Sequence, residues 1–222
     1  MPEITPELVV AIAVFLLVAF PVHEFSHALA AYRLGDSTAR LFGRLTLNPI
    51  VHFDPLGGAL LVISMLVSGG QYGFGWAKPT PVNPMNLHGG RRGEALVALA
   101  GPASNLVMAA IVAIPIRILL AWTGTLPPFA NEIFQVLVIF LQLNVIIGLF
   151  NLVPIPPLDG YRILLGLIDP RTAWQIRPIL DQYGFFILLI VFFFPILPGG
   201  ATIGSQVLFP VMNAIVSFLV GV

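Results

Sequence analysis

Phe20-Pro21-Val22-His23-Glu24-Phe25-Ser26-His27-Ala28 interrupts a run that otherwise reads as a membrane-spanning helix. On a helix, His23 and His27 lie four residues apart, so both imidazoles project from one face, one turn above the other. That spacing lets two imidazoles grip a single zinc ion, and Glu24 alongside can reach a water in the metal's open position. His-Glu-x-x-His is a short pattern, yet here it falls in a chain with only four histidines. The blander alternative is a hydrogen-bonded pair of polar core residues. Burying two imidazoles and a carboxylate in hydrocarbon without a partner costs at least several kcal/mol, which favours the metal.

The apolar run around this stretch sets the fold class. Leu8 to Val22 is almost wholly apolar, and the helix is predicted from about Glu7 to Leu34, where Gly35 ends it. At 1.5 Å per residue it is roughly 40 Å long, enough to cross a bilayer, with the two histidines roughly 10–15 Å inside the Arg33 end. Of the 222 residues 58% are hydrophobic and 9% charged. A soluble domain carries about 25% charged residues, so this is read as an integral membrane protein. Zero net charge gives no footing for nucleic acid. The absence of cysteine excludes thiol chemistry, disulfides and Cys-ligated metal. The first residues lack the basic region of a signal peptide, so the first apolar run is expected to be retained as a span.

Arg33, Arg40 and Arg44 follow the first helix, whereas Glu3 and Glu7 precede it. The positive-inside rule then puts residues 33–50 in the cytoplasm, the N-terminus outside and the site in the cytoplasmic half of the bilayer. Leu56 to Val67 is apolar but short for a crossing, and Lys78, Arg91 and Arg92 beyond it also favour the cytoplasm. A re-entrant segment fits slightly better than a tilted short span. Tyr72 to Pro84 is punctuated by Gly and Pro and reads as extended strand or loop. Glu94–Trp122 and Asn131–Leu152 are spans, and Val153-Pro154-Ile155-Pro156-Pro157-Leu158-Asp159-Gly160 breaks the second of them. Tyr161 to Asp181 is expected in the cytoplasm, and Tyr183–Leu197 and Ser205–Val220 are the last apolar segments. The expected architecture is an all-α polytopic membrane protein of about five to six transmembrane segments, with residues 1–222 forming a single membrane-embedded domain.

Two histidines need a third protein ligand if water is to hold the fourth position of a catalytic zinc. Asp159 is the leading candidate, because a proline-broken segment can return it to mid-depth beside the His23 helix. As a turn or helix N-cap aspartate it would need no metal, and spacing alone balances the two readings. His52 and His88 sit in Pro/Gly-rich loops and are weaker candidates. Asn105 and Asn144 read as amides joining helix to helix, and Asn151, close to the break, is the amide singled out for function.

Three motifs together, His23-Glu24-Phe25-Ser26-His27, Ala100-Gly101-Pro102-Ala103-Ser104-Asn105 and Asn151-Leu152-Val153-Pro154-Ile155-Pro156-Pro157-Leu158-Asp159-Gly160, resemble the site-2 protease family of intramembrane zinc metalloproteases. The resemblance covers roughly residues 8–165. It implies that His23, His27 and Asp159 ligate one zinc ion and that Glu24 is catalytic. It also implies that Asn151 lies near the bound substrate strand, and that the segment between the first two motifs forms a β-hairpin, suiting Trp76–Val82. The expected activity is cleavage of peptide bonds within or near transmembrane segments of membrane protein substrates. Two features depart from many relatives. Over these 222 residues no peptide-binding module of the PDZ type or cystathionine-synthase-like domain is expected, and the histidine helix is expected to be the first span of this sequence. The rival from another class, a divalent-metal transporter or channel with the same cluster as a transit site, would be expected to show paired half-repeats, and none is visible. Oligomeric state is not legible.

Overall fold

In the computed structural model, which describes residues 5–67, 75–124, 127 and 129–221, the first apolar run forms helix α1 (Pro6–Arg33). Thr5 caps its start by accepting from the Leu8 N–H. Phe15–Ala19 is a π turn that ends two residues before Pro21. Pro21 lacks an N–H and its ring crowds the carbonyl one turn back, and a widened turn relieves both defects without ending the helix. The span therefore reaches His23 and His27 intact.

After α1 the chain makes two single turns, Thr38–Leu41 and Pro49–His52, and then helix α2 (Pro55–Val67). At 13 residues α2 rises roughly 20 Å, about two thirds of a hydrocarbon core. Residues 75–83 lie outside any helix, with Asn83 extended, and no strand is paired among the described residues. The β-hairpin expected around Trp76–Val82 is not formed among the described residues, and residues 68–74, in the same segment between the motifs, lie outside them. Of the two forms expected between the first two motifs, the described residues contain the helix.

Helix α3 (Arg91–Ala121) and helix α4 (Ala130–Asn151) follow as an antiparallel pair. They pack against each other through Ala109, Ala113, Ile116, Leu141 and Val145. Beyond the proline-rich bend come helix α5 (Asp159–Leu167), helix α6 (Pro170–Phe193) and helix α7 (Ile203–Val220). Among the described residues five helices, α1, α3, α4, α6 and α7, are long and apolar enough to cross a membrane.

The last part of the chain corrects the expected boundaries. Residues 159–167 are helical, and α6 begins at Pro170 rather than near Tyr183. Asp169 caps it by accepting from the Arg171 and Thr172 N–H groups, and Pro170 occupies the first turn. The polar residues 171–181 belong to the same helix as the apolar ones that follow. Hydropathy marks where a helix enters lipid, whereas its start is set by the cap.

Candidate metal centre

Three side chains from two helices converge on one point. The Nε2 atoms of His23 and His27 on α1 are 3.1 Å apart, and Oδ2 of Asp159, in the first turn of α5, lies 3.4 and 3.3 Å from them. Ligand atoms at 2.0–2.1 Å from a tetrahedral zinc stand roughly 3.3–3.4 Å from one another, so the triangle has the dimensions of one face of such a site. Both histidines are buried, at 7% exposure each.

The chemistry of the donors agrees with the distances. Nδ1 of His27 lies 2.7 Å from the Val97 carbonyl oxygen, which only accepts, so the proton sits on Nδ1 and Nε2 offers a lone pair. For His23 the tautomer follows from a chain of amides. Asn144 donates from Nδ2 to the Phe140 carbonyl at 2.9 Å, which turns its Oδ1 toward Asn105. Asn105 Nδ2 donates to that oxygen at 3.0 Å, which turns the Asn105 Oδ1 toward His23 Nδ1, 2.6 Å away. The acceptor at the end of the relay puts the His23 proton on Nδ1 as well. Two imidazole lone pairs and a carboxylate oxygen then face one another within 3.4 Å, an arrangement that repels itself unless a cation sits between them. His23, His27 and Asp159 could hold a metal ion with one donor atom each.

Packing enforces this convergence. A Cβ on Gly101 would collide with Nε2 of both histidines, so only glycine lets α3 approach α1 this closely. The bend that returns Asp159 is equally tight, since a Cβ on Gly160 would run into the Leu152 and Val153 carbonyls. Helix α5 is fixed at its far end by Arg91 of α3, which donates through Nε to the Leu165 carbonyl at 3.0 Å and through Nη2 to the Ile168 carbonyl at 2.7 Å. Asp159 does not cap its own helix. Leu158 is the N-cap residue, and the carboxylate turns to the histidines instead.

Glu24 sits beside the triangle, 8% exposed, with Oε2 accepting from the Thr80 hydroxyl at 2.8 Å. Asn151 ends α4 and donates from Nδ2 to the Ile147 carbonyl at 3.0 Å, and among the described residues no hydrogen bond joins it to the three donor side chains. His52 is fully buried with Nε2 on the Thr46 carbonyl, and it belongs to no metal-holding group. Sequence reasoning assigned Asn105 and Asn144 to helix contacts alone, and missed that they orient an imidazole. The available signal was the four-residue spacing from Gly101 to Asn105, which puts the amide on the face that meets the histidines. Thr80 was not singled out either.

The rim is tied down by Asp36, which is fully buried after the end of α1. It accepts from the Thr38 hydroxyl and N–H, the Asn83 N–H and the Asn86 amide. Burial works to raise its pKa, but these hydrogen bonds outweigh burial and hold the carboxyl below the usual range.

Comparison with known proteins finds relatives of this sequence. The profile described as peptidase family M50 matches residues 115–193, a stretch that contains Asp159 but not the histidines. YwhC of Bacillus subtilis, which carries a provisional zinc-metalloprotease name, is 40% identical over 204 residues, covering 91% of this chain and 86% of the relative. Rip2 of Mycolicibacterium smegmatis, provisionally named in the same way, is 34% identical over 182 residues. Rip2 of Mycobacterium tuberculosis is 33% identical over 196 residues. Each Rip2 alignment takes in 82% of this chain and 66% of the relative. No solved structure matches.

Proposed function

This chain belongs to peptidase family M50, and from that premise we propose how its residues divide the work. It is an integral membrane zinc metalloprotease that acts on membrane proteins. His23, His27 and Asp159 hold the single zinc ion, Glu24 is the general base, and Asn151 binds the substrate backbone. Residues 1–222 act as one membrane-embedded protease unit. The observation that carries the ligand assignment is the triangle of two Nε2 atoms and one carboxylate oxygen, with both Nδ1 protons committed elsewhere.

Zinc held there would supply Lewis acidity toward a carbonyl oxygen and toward water. Glu24 takes the proton of the attacking water and hands it to the leaving nitrogen. A peptide bond within a helix is shielded by its own hydrogen bonding, so the substrate must unwind locally. The non-helical segment 75–83 offers backbone for pairing with that unwound stretch. Asn151, with one N–H used on Ile147, keeps its other N–H and its oxygen for a peptide group.

Eight of the ten basic residues, all but Arg117 and Arg177, fall outside the spans or within the half-turns that end or begin them on one side, and Arg177 lies two turns inside the start of α6. This supports a cytoplasmic site with residue 5 outside. Single cysteines introduced at residues 5 and 171 into this cysteine-free chain report that orientation by labelling intact cells.

The functional test uses the full chain in liposomes with a transmembrane reporter. Glu24→Gln is expected to keep zinc and lose cleavage by roughly 10²–10⁴-fold, whereas His23→Ala loses both. Cleavage at the wild-type rate by Glu24→Gln would refute the general-base assignment.

A further inference from the structure

We propose that Thr80 is a positioning residue, whose hydroxyl holds the Glu24 carboxylate in the orientation that proton transfer requires. The inference rests on the reading of Glu24 as general base. A carboxylate only accepts, so the Thr80 hydroxyl is the donor in the 2.8 Å contact with Oε2. The same hydroxyl lies 3.4 Å from the backbone oxygen of Glu24, so it sits over the whole residue and not merely at the tip of the side chain.

The local sequence is built to deliver that hydroxyl. Thr80 stands between Pro79 and Pro81 in Lys78-Pro79-Thr80-Pro81. Each proline fixes its own φ, and each confines the residue before it to extended backbone, so Lys78 and Thr80 are both held extended. The segment has no helix or paired strand to stiffen it, yet it is anchored on both sides of Thr80. Upstream, the Lys78 N–H donates to the His52 carbonyl at 3.0 Å, and His52 is fully buried. Downstream, the Asn83 N–H donates to Asp36 Oδ2 at 2.7 Å, and Asp36 is fully buried beside the end of α1. Both anchors neighbour the helix that carries Glu24, so the donor and its acceptor share one frame.

A terminal carboxylate torsion is broad, and a glutamate with no fixed donor samples many orientations. Committing Oε2 to Thr80 leaves the other oxygen to receive a proton. It also keeps Glu24 from turning onto a cation held by its neighbours, where it would act as a ligand instead of a base. The segment expected to pair with substrate is the one that carries the donor, which links docking to the readiness of the base.

The test compares Thr80→Val, which keeps the shape and removes the hydroxyl, with Thr80→Ser, which keeps the hydroxyl. Both are measured as zinc-loaded full chains in liposomes beside the wild type and Glu24→Gln. Thr80→Val is expected to lower kcat by roughly 10–100-fold. Its KM stays within about 2-fold of wild type, since the lost interaction acts at the transition state. Zinc content and melting temperature stay at the wild-type level, and Thr80→Ser recovers most of kcat. A readout independent of turnover is the difference infrared spectrum. Thr80→Val minus wild type shifts a carboxylate stretch, and the shift vanishes when both proteins carry Glu24→Gln. The proposal is overturned by wild-type kcat in Thr80→Val, by Thr80→Ser as impaired as Thr80→Val, or by a loss confined to zinc or KM. If the wild type cleaves and Glu24→Gln does not, normal turnover in Thr80→Val sinks this inference alone. If Glu24→Gln cleaves normally, the reading of Glu24 fails and the proposal goes with it.

Discussion

Helices α3 and α6 are both long enough to cross a bilayer, and they use their side chains in opposite ways. Helix α3 buries mostly small residues, among them Ala95, Ala98, Gly101 and Ala109 around the single amide Asn105, with Val97, Pro102 and Ile116 the larger ones. Helix α6 buries only Ala173, Gly184 and Leu188, and turns Trp174 and Phe186 outward at 80% and 61% exposure. In water the large apolar residues would have gone inside. In lipid they gain little by doing so, because acyl chains are as apolar as leucine. What distinguishes inside from outside here is closeness of approach and the need of polar groups for partners. Helix α3 meets α1 at Gly101 and satisfies His23 through Asn105, whereas α6 does neither.

If the interior is defined by polar groups with fixed partners, the largest effects fall on the triangle. Asp159→Ala leaves two imidazole lone pairs facing each other with two protein ligands for a metal. Zinc is expected to fall to background in metal analysis of the purified protein, and cleavage with it. Retention of stoichiometric zinc by Asp159→Ala would break the comparison at its root.

The next effect tests the relay behind the triangle. Asn105→Leu removes the acceptor that fixes the His23 tautomer, and it leaves the Asn144 oxygen without its donor. Zinc affinity is expected to weaken roughly 10–100-fold in competition with a chelator, the usual cost of losing an outer partner of a metal-bound histidine. Asn144→Leu, one step further out, is expected to cost less. Equal loss from both would mean that the amides only pack helices.

Several of these features were legible in the chain and others were not, for physical reasons. The histidine pair and the spans are local, since a four-residue spacing and an apolar run carry their own geometry. Asp159 could be proposed because prolines mark the break that returns it. Asn105 could not be placed on His23, because that contact depends on the register between α1 and α3, which tertiary packing sets. The start of α6 was missed because its first turns are polar, and Asp169 announces them only as a cap. Tyr72–Pro84 reads as extended strand or loop, and within it residues 75–83 lie outside any helix while Pro84 opens a short 3-10 turn. Their tie to Glu24 through Thr80 runs across 56 positions, and nothing in the local composition indicates it.

Between the two extremes lies the rim, where Asp36 makes the test one of stability. Its folded pKa is depressed, so its contribution is complete above the unfolded carboxylate value of about 4 and is lost as pH falls through the folded value. Removing it by Asp36→Ala is expected to cost about 2–3 kcal/mol at neutral pH, from lost hydrogen bonds to a buried charged acceptor. On acidification the wild type should lose melting temperature faster than Asp36→Ala, so that the two curves converge. Parallel curves would show that the carboxylate is not the group holding residues 83–86 to the end of α1.

The smallest expected effect is the most discriminating, because it is where a soluble protein would respond strongly. Phe186→Leu removes an aromatic ring from the middle of α6. In a water-soluble helix bundle a residue of this size in mid-helix would sit in the core, and truncating it would leave a cavity. Here the ring is mostly exposed and no polar group of the site depends on it. Replacing it by another apolar side chain exchanges one lipid contact for another, so stability should change by no more than about 0.5 kcal/mol. Zinc content and cleavage should be unchanged. A clear loss of zinc from Phe186→Leu, at unchanged expression, would mean that α6 packs on the catalytic helices through its aromatic face. The contrast with α3 would then be wrong in kind, because large apolar residues would be defining the interior after all.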